Sequence, residues 1–250
     1  MSAVTGSVPT VNDRPLELLH AIAGPDATFR AGQREAIDAV VTERRRVLLV
    51  QRTGWGKSAV YFIATRLLRD AGAGPTILVS PLLALMRNQI RMAERAGVVA
   101  RTINSENRDD WEEITSAIER DEVDLLLVSP ERFNNPAFRA DVLPTLAARS
   151  GLLVIDEAHC ISDWGHDFRP DYRRLVRVLE LLPQGVPVLC TTATANDRVI
   201  EDTQAQLGAE LVTQRGPLAR ENLAPARAVS AAAAEDCAAH VAAVGATPSR

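Results

Sequence analysis

Residues 152–159 read Leu-Leu-Val-Ile-Asp-Glu-Ala-His, an apolar run that ends directly in two adjacent carboxylates. A short apolar run of this kind is typical of a strand that is buried on both faces of a parallel sheet. Comparable runs occupy residues 47–50, 76–79, 124–128 and 186–189, with helix-length segments between them. The alternation predicts an α/β fold, an open and mainly parallel sheet with helices on both faces.

A glycine-containing segment follows the run at 47–50. Residues 51–58 read Gln-Arg-Thr-Gly-Trp-Gly-Lys-Ser and lead into an apolar predicted helix. Glycines let backbone N–H groups turn towards an anion, and the helix amino terminus and the charge of Lys57 add attraction. We therefore predict a phosphate-binding loop, with Lys57 on the β- and γ-phosphates and Ser58 as a Mg²⁺ ligand. Gln51 stands where the strict pattern has glycine, so a turn with an unrelated lysine is the alternative.

The adjacent carboxylates Asp156 and Glu157 predict a second part of the same site. Two buried like charges disfavour ionisation, and a magnesium ion relieves that cost. In P-loop enzymes a carboxylate at this place holds the hydration shell of the metal, and a neighbouring polar residue orients the attacking water. The alternatives are a solvated corner after a strand or an N-cap of the next helix.

Composition restricts the choice of partners and compartment. The chain has 250 residues and a formal net charge of −4, so DNA binding would need a local basic cluster. Cys160, Cys190 and Cys237 lie far apart without a Cys-x-x-Cys pair, which argues against zinc or a disulfide framework. Neither a signal peptide nor a membrane-spanning apolar run is evident in the sequence. We expect a soluble protein of the reducing cytoplasm that binds neither membrane nor zinc.

The segment from 152 to 170 resembles the Asp-Glu-Ala-His box and the following aromatic-rich loop of the RecQ family of superfamily 2 DNA helicases. The resemblance implies a RecA-like P-loop NTPase domain that binds ATP and Mg²⁺. It assigns catalytic roles to Lys57, Asp156 and Glu157, with Asp156 on the metal and Glu157 on the water. It also implies that His159 joins a polar network connecting hydrolysis to movement.

The aromatic-rich loop carries Trp164, Phe168 and Arg169. Aromatic side chains and arginine stack on unpaired bases without reading their sequence. In the RecQ family this loop senses single-stranded DNA, and the resemblance implies the same role here. The alternative is a loop folded onto its own aromatic residues.

The nucleotide-specificity motif of the family is similar to residues 29–33, Phe-Arg-Ala-Gly-Gln, which we expect to open an amphipathic helix. The amide of Gln33 has the donor and acceptor that the N6 and N7 edge of adenine needs. Asp26 replaces the usual aromatic residue, and a solvent-facing Gln33 is the alternative. The resemblance assigns the nucleotide to Arg30, Gln33, Thr53, Gly54, Trp55, Gly56, Lys57 and Ser58.

Three further segments resemble family motifs in the expected order. Residues 80–89 are similar to the motif that grips the DNA backbone, which implies DNA contacts by Ser80, Pro81 and Arg87. Residues 128–133 resemble a second such contact. Residues 189–195 resemble the Thr-Ala-Thr motif that joins the ATP state to DNA, and they carry Thr192 and Thr194. Taken singly, each segment could be a turn with a capping hydroxyl.

The resemblance divides the chain into a polar leader (1–15), a RecA-like ATP-binding domain (16–208), the start of a connection to a second motor lobe (209–223) and an Ala-rich, poorly packed tail (224–250). The second lobe does not follow in this sequence. Its arginine finger is worth about 10³–10⁵ in turnover, so we expect ATP binding without most of the hydrolysis.

Two functions remain open from the sequence. The first is an ATP-dependent 3′-to-5′ DNA helicase of RecQ type, acting in DNA repair or recombination on single-stranded or partly duplex DNA. The chain would be its first motor lobe, either truncated or paired with a separate second lobe. The second is a nucleotide-responsive single-stranded-DNA-binding module with negligible turnover. A P-loop ATPase unrelated to DNA would leave residues 160–170 without a role.

Overall fold

The computed structural model describes residues 13–81, 83–104, 107–161, 175–194, 196–208 and 210–216, with backbone alone for 83–87, 176 and 177. Most of the predicted leader and the whole predicted tail lie outside these ranges, as do Trp164, Phe168 and Arg169. Within them, every helix is too short or too polar to cross a bilayer.

The described strands form one seven-stranded sheet in which all neighbours are parallel. The strands are β1 (Arg46–Val50), β2 (Thr76–Val79), β3 (Ala100–Ile103), β4 (Leu125–Val128), β5 (Leu152–Asp156), β6 (Val188–Thr192) and β7 (Leu211–Arg215). Their order across the sheet is β3-β4-β2-β5-β6-β1-β7. The predicted open parallel sheet is confirmed.

Helices cover both faces of this sheet. Those described are α1 (Arg14–Ala23), α2 (Gln33–Val41), α3 (Lys57–Asp70), α4 (Leu83–Arg95), α5 (Trp111–Glu119), α6 (Leu143–Arg149), α7 (Leu175–Leu181) and α8 (Asp197–Leu207). Alternate strand residues enter two separate cores, because successive side chains of a strand point to opposite faces. Leu48 and Val50 pack on the side of α5 to α8, while Val47 and Leu49 pack on the side of α1 to α4.

The central strands match their predicted positions, and three details differ. The strand predicted at 186–189 begins at Val188 and runs to Thr192, because Pro187 has no N–H for the ladder. The helix expected from Phe29 begins at Gln33, since Gly32 precedes it with a left-handed φ of +86°. The edge strands β3 and β7 escaped prediction, and β7 lies beyond residue 208, where we placed the end of the domain.

Candidate functional site

The carboxyl edge of the sheet holds a cavity of about 700 Å³, within the size range of small-ligand pockets. Strand order explains why it forms there: β6 lies between β5 and β1, so Asp156 is paired with Thr191 and Val50 with Thr192. The loop after β1 and the carboxylates after β5 therefore open into one space. The lining includes Arg30, Gln33, Thr53, Gly54, Trp55, Gly56, Lys57, Ser58, Asn88, Gln89, Asp156 and Glu157.

The predicted phosphate loop connects β1 to α3, which begins at Lys57. Gly54 and Gly56 adopt φ values of +79° and +97°, which side-chain-bearing residues rarely adopt. A Cβ on Gly56 would also lie 2.7 Å from Nε2 of Gln33. Glycine at 56 is therefore required both for the turn and for the close approach of Gln33.

Three predicted nucleotide-binding side chains donate hydrogen bonds to carbonyls of this loop. Lys57 Nζ lies 2.7 Å from the carbonyl oxygen of Gln51, and Gln33 Nε2 lies 3.1 Å from that of Trp55. The Arg30 guanidinium donates to the Gly54 carbonyl. Gln33 is only 4% exposed, which excludes the solvent-facing alternative. Burial lowers the pKa of Lys57, and the carboxylates of Glu157 and Asp156 oppose that shift.

Two further residues of this loop, Gln51 and Trp55, are buried. Gln51 is buried, and its amide lies so close to Gly216 that a Cβ there would be 2.3 Å from Oε1. Trp55 is 6% exposed and belongs to the core shared with α1, α2 and α3. Trp55 therefore packs in this core and also lines the cavity.

Asp156 is held by neighbours at the end of β5. Thr191 Oγ1 donates to its Oδ1 at 2.6 Å, and the backbone N–H of Glu157 donates to the same atom at 3.1 Å. Burial raises the pKa of Asp156, and the Thr191 hydrogen bond opposes this shift. Glu157 has a left-handed φ of +54°, a conformation that is strained for a residue with a side chain and is often found at functional sites.

A polar network links Glu157 to the end of β6. His159 Nδ1 lies 3.3 Å from Glu157 Oε2 and 3.0 Å from Thr192 Oγ1. Thr192 Oγ1 in turn donates to the Thr194 carbonyl at 3.0 Å. Contact with Cys160 and the hydrogen bond with Glu157 raise the pKa of His159 to about 10. Asn196, not a threonine, caps α8, so the capping alternative for Thr192 and Thr194 does not hold.

The structure describes only some of the residues that the sequence analysis assigned to DNA binding. Ser80 is fully buried, and its hydroxyl has no partner among the described residues. Pro81 is half-buried, and the backbone of Arg87 lies in α4. Because the Ser80 side chain is buried, it cannot contact DNA in this conformation.

Several residues of the site escaped sequence analysis. Leu19 and Ile22 of α1, together with Met92 of α4, form an apolar wall of the cavity. Their helical spacing is also that of ordinary core residues, so the pattern alone cannot assign them to a site. Thr191, Tyr61 and Gln89 were missed because Thr191 pairs with Asp156, and Tyr61 with Gln89, across large separations in sequence.

The position of Asp156 leads to a stability prediction. A raised pKa means that folding disfavours the ionised carboxylate of Asp156. The ionised carboxylate therefore lowers the stability of the folded protein above about pH 4, the ordinary pKa of an aspartate, and this loss disappears below that pH. Asn retains an Oδ1 that can accept from Thr191 and from the backbone of Glu157. We expect Asp156→Asn to raise the unfolding midpoint at pH 7, without metal, by about 2–4 °C.

Thermal unfolding at pH 7 and at about pH 3 tests this prediction, because the gain should vanish below the ordinary pKa of an aspartate. Asp109→Asn is the matched control, since Asp109 is exposed and lies outside the cavity. If Asp156→Asn and the wild type unfolded at the same temperature at pH 7, the ionised Asp156 carboxylate would not destabilise the folded protein and the prediction would be wrong.

Comparison with known protein families agrees with this geometry. Residues 30–203, more than two thirds of the chain, match the family described as "DEAD/DEAH box helicase". Among solved structures, the helicase domain of Hef from Pyrococcus furiosus superposes with a TM-score of 0.57 at 17% identity, over 75% of this chain and 38% of that one. A DEAD-box helicase bound to single-stranded RNA gives 0.66 at 16% identity, over 82% and 45%. These likenesses confirm the RecA-like helicase fold.

Relatives found by sequence similarity indicate a narrower group of helicases than the solved structures do. The chain is 37% identical over 181 residues to an ATP-dependent DNA helicase RecQ of Bacillus subtilis, covering 72% of this chain and 29% of the relative. It is 34% identical over 188 residues to the protein of the same name from Pasteurella multocida, covering 75% and 28%. The chain thus spans less than a third of these relatives. They confirm the resemblance to RecQ helicases, and the family match shows that the chain belongs to the DEAD/DEAH box helicases.

Proposed function

We propose that this chain is the ATP-binding motor lobe of a RecQ-type DNA helicase. The observation that supports the proposal best is the single cavity at the carboxyl edge of the sheet. It brings Lys57 and Ser58 of the phosphate loop together with the carboxylates of Asp156 and Glu157, and it places Gln33 beside the loop. A phosphate loop facing adjacent carboxylates is the arrangement that nucleoside triphosphate hydrolysis requires.

The residues present fit a magnesium ion. Ser58 and Asp156 offer oxygen atoms, the ligands that Mg²⁺ prefers, and Mg²⁺ at nucleotide sites takes its remaining ligands from phosphates and water. In the described ranges, no cluster of three or more His, Cys, Asp or Glu forms a dedicated metal cage, which agrees with such shared coordination. When bound, the ion would neutralise charge on the phosphates.

The protein side chains would then act as follows. Lys57 leaves the carbonyl of Gln51 and binds the phosphates. This exchange is favourable because an ammonium group makes a stronger hydrogen bond to a charged phosphate than to a neutral carbonyl. Glu157 orients the attacking water, and its contact with His159 would pass the state of the site to Thr192. The hydrogen bonds of Gln33 and Arg30 to the loop keep it in place before ATP arrives.

DNA is the proposed second ligand, because the relatives of highest identity named above are DNA helicases. We assign single-strand contact to Trp164, Phe168 and Arg169, and contacts with the DNA backbone to Pro81 and Arg87, while the buried Ser80 side chain makes none in this conformation. Unwinding in the 3′-to-5′ direction during DNA repair or recombination would need a second motor lobe, which we propose as a partner of this one.

Replacing Lys57 tests the proposed ATP site directly. Charge-assisted hydrogen bonds contribute about 1.5–3 kcal/mol, so Lys57→Ala should weaken Mg-ATP binding roughly 10- to 150-fold in calorimetric titration. Arg139→Ala is the control, because it removes an exposed positive charge outside the cavity. Unchanged affinity in Lys57→Ala would show that ATP does not bind at this loop.

Lys57 is also the only lysine in the sequence. An amine-reactive reagent therefore has one side-chain target besides the terminal amine. Mg-ATP should protect Lys57 from modification, as measured by mass spectrometry of the peptide that contains it. Equal labelling with and without Mg-ATP would count against the proposed site.

A further inference from the structure

Ser58, the proposed magnesium ligand, is the end of a chain of buried hydrogen bonds. Gln89 Nε2 donates to Tyr61 Oη at 3.2 Å, and Tyr61 Oη donates to Ser58 Oγ at 3.0 Å. Tyr61 is completely buried and Gln89 is 6% exposed. Ser58 and Tyr61 belong to α3, whereas Gln89 belongs to α4, so the chain joins two helices.

With the NH₂ group of Gln89 towards Tyr61, the chemistry of these groups sets the direction of the hydrogen bonds. An amide NH₂ only donates, so the Tyr61 oxygen accepts from Gln89. The phenol hydrogen is then free to point towards Ser58. A hydroxyl oxygen has two acceptor lone pairs, and the bond from Tyr61 occupies one of those on Ser58 Oγ. The other lone pair remains for a cation.

Gln89 carries a second observation that points to a ligand. Its Oε1 is buried and has no hydrogen-bond partner among the described residues, although Gln89 lines the cavity with Ser58, Asp156 and Glu157. An unpaired buried acceptor is unfavourable unless water or a ligand satisfies it. A water molecule of a hydrated ion in the cavity would be such a donor.

We propose that Tyr61 and Gln89 are positioning residues for magnesium, and we call the two the Tyr61–Gln89 relay. Tyr61 orients the Ser58 hydroxyl towards the ion, and Gln89 Oε1 accepts a hydrogen bond from ion-bound water. This inference rests on the proposed ATP site. It gives α4, which contains most of the segment assigned to the DNA backbone, a direct connection to the metal ligand on α3.

Tyr61→Phe tests the relay because it removes one hydroxyl and retains the ring, which packs edge-on against Phe62 at 4.7 Å. The measurement is the Kd of a fluorescent ATP analogue, with Mg²⁺ and separately with EDTA. We expect binding in Mg²⁺ to weaken about threefold to tenfold, the effect of one neutral hydrogen bond, and binding in EDTA to be unchanged. Equal losses in both buffers would indicate a merely structural role and overturn the relay.

Gln89→Met is the second variant, since it has a similar volume and no polar group. It should weaken binding in Mg²⁺ only. In a double-mutant cycle, Tyr61→Phe should add nothing to Ser58→Ala, and additive effects would overturn the relay.

Nucleotide binding by the wild-type protein, with and without Mg²⁺, distinguishes a failure of the relay from a failure of the proposed ATP site. If Mg²⁺ strengthens nucleotide binding in the wild type and no relay variant reduces that gain, the relay is wrong and the ATP site stands. If Mg²⁺ has no effect on the wild type, the proposed ATP site fails, and the relay fails with it.

Discussion

The Glu157→Gln variant is expected to bind Mg-ATP with unchanged affinity and to hydrolyse it roughly 10²–10⁴-fold more slowly than the wild type, the usual contribution of a general base. Glutamine has nearly the same volume, but its amide is a much weaker proton acceptor than a carboxylate. The left-handed backbone at Glu157 can persist, because the substitution leaves Cβ and the main chain unchanged. The expected loss therefore concerns the chemical step and not the binding of the nucleotide.

Single-turnover hydrolysis of labelled ATP, with protein in excess, suits this measurement because it follows the chemical step apart from product release. The assay is run with and without single-stranded DNA, which also tests whether DNA stimulates the site. Glu113→Gln is the matched control, since Glu113 is an exposed residue of α5 outside the cavity. A Glu157→Gln rate equal to that of the wild type would remove Glu157 from the proposed mechanism.

Among the glycines that the structure describes, Gly74 is the one whose replacement by alanine is expected to cause the largest loss of stability. A Cβ on Gly74 would lie 1.6 Å from the carbonyl oxygen of Arg149 and 2.9 Å from its carbonyl carbon. Both atoms belong to the backbone at the end of α6, just before β5, where the N–H of Gly151 donates to the carbonyl of Pro75 at 2.9 Å. Because backbone cannot rotate away, we expect a loss of about 3 kcal/mol or more in the free energy of unfolding.

Urea unfolding measures this loss, and Gly72→Ala separates the clash from backbone strain. Gly72 has a φ of +80° and nothing within 4 Å of a built Cβ, so alanine there should cost only the left-handed conformation, about 1–2 kcal/mol. Similar losses in the two variants would show that the contact between Gly74 and Arg149 is not tight in solution.

The centre of the sheet was predictable because its strands are buried on both faces. Such strands need apolar residues at consecutive positions, and that requirement is visible in 47–50 and 152–155. The phosphate loop was predictable for a similar local reason: its glycines, lysine and serine are adjacent along the chain. The geometry of Gly54 and Gly56 agrees with that local pattern.

The edge strands could not be found in this way. β3 and β7 pair on one side only and carry polar residues such as Arg101 and Gln214. Neither an uninterrupted apolar run nor a clear alternation marks them in the sequence. Their assignment depends on pairing with β4 and β1, which is a contact between distant segments.

Hydrogen bonds between side chains of different strands or helices could not be predicted from the sequence either. Thr191 meets Asp156 because β5 and β6 are neighbours, and Gln89 meets Tyr61 because α4 packs beside α3. Residue types and spacing along the chain therefore established the class of fold and the chemistry of its loops, since those depend on local burial and local turns. Which distant hydroxyl, amide or carbonyl satisfies each buried polar group depended on strand order and helix packing, because hydrogen bonds form between atoms that are close in space.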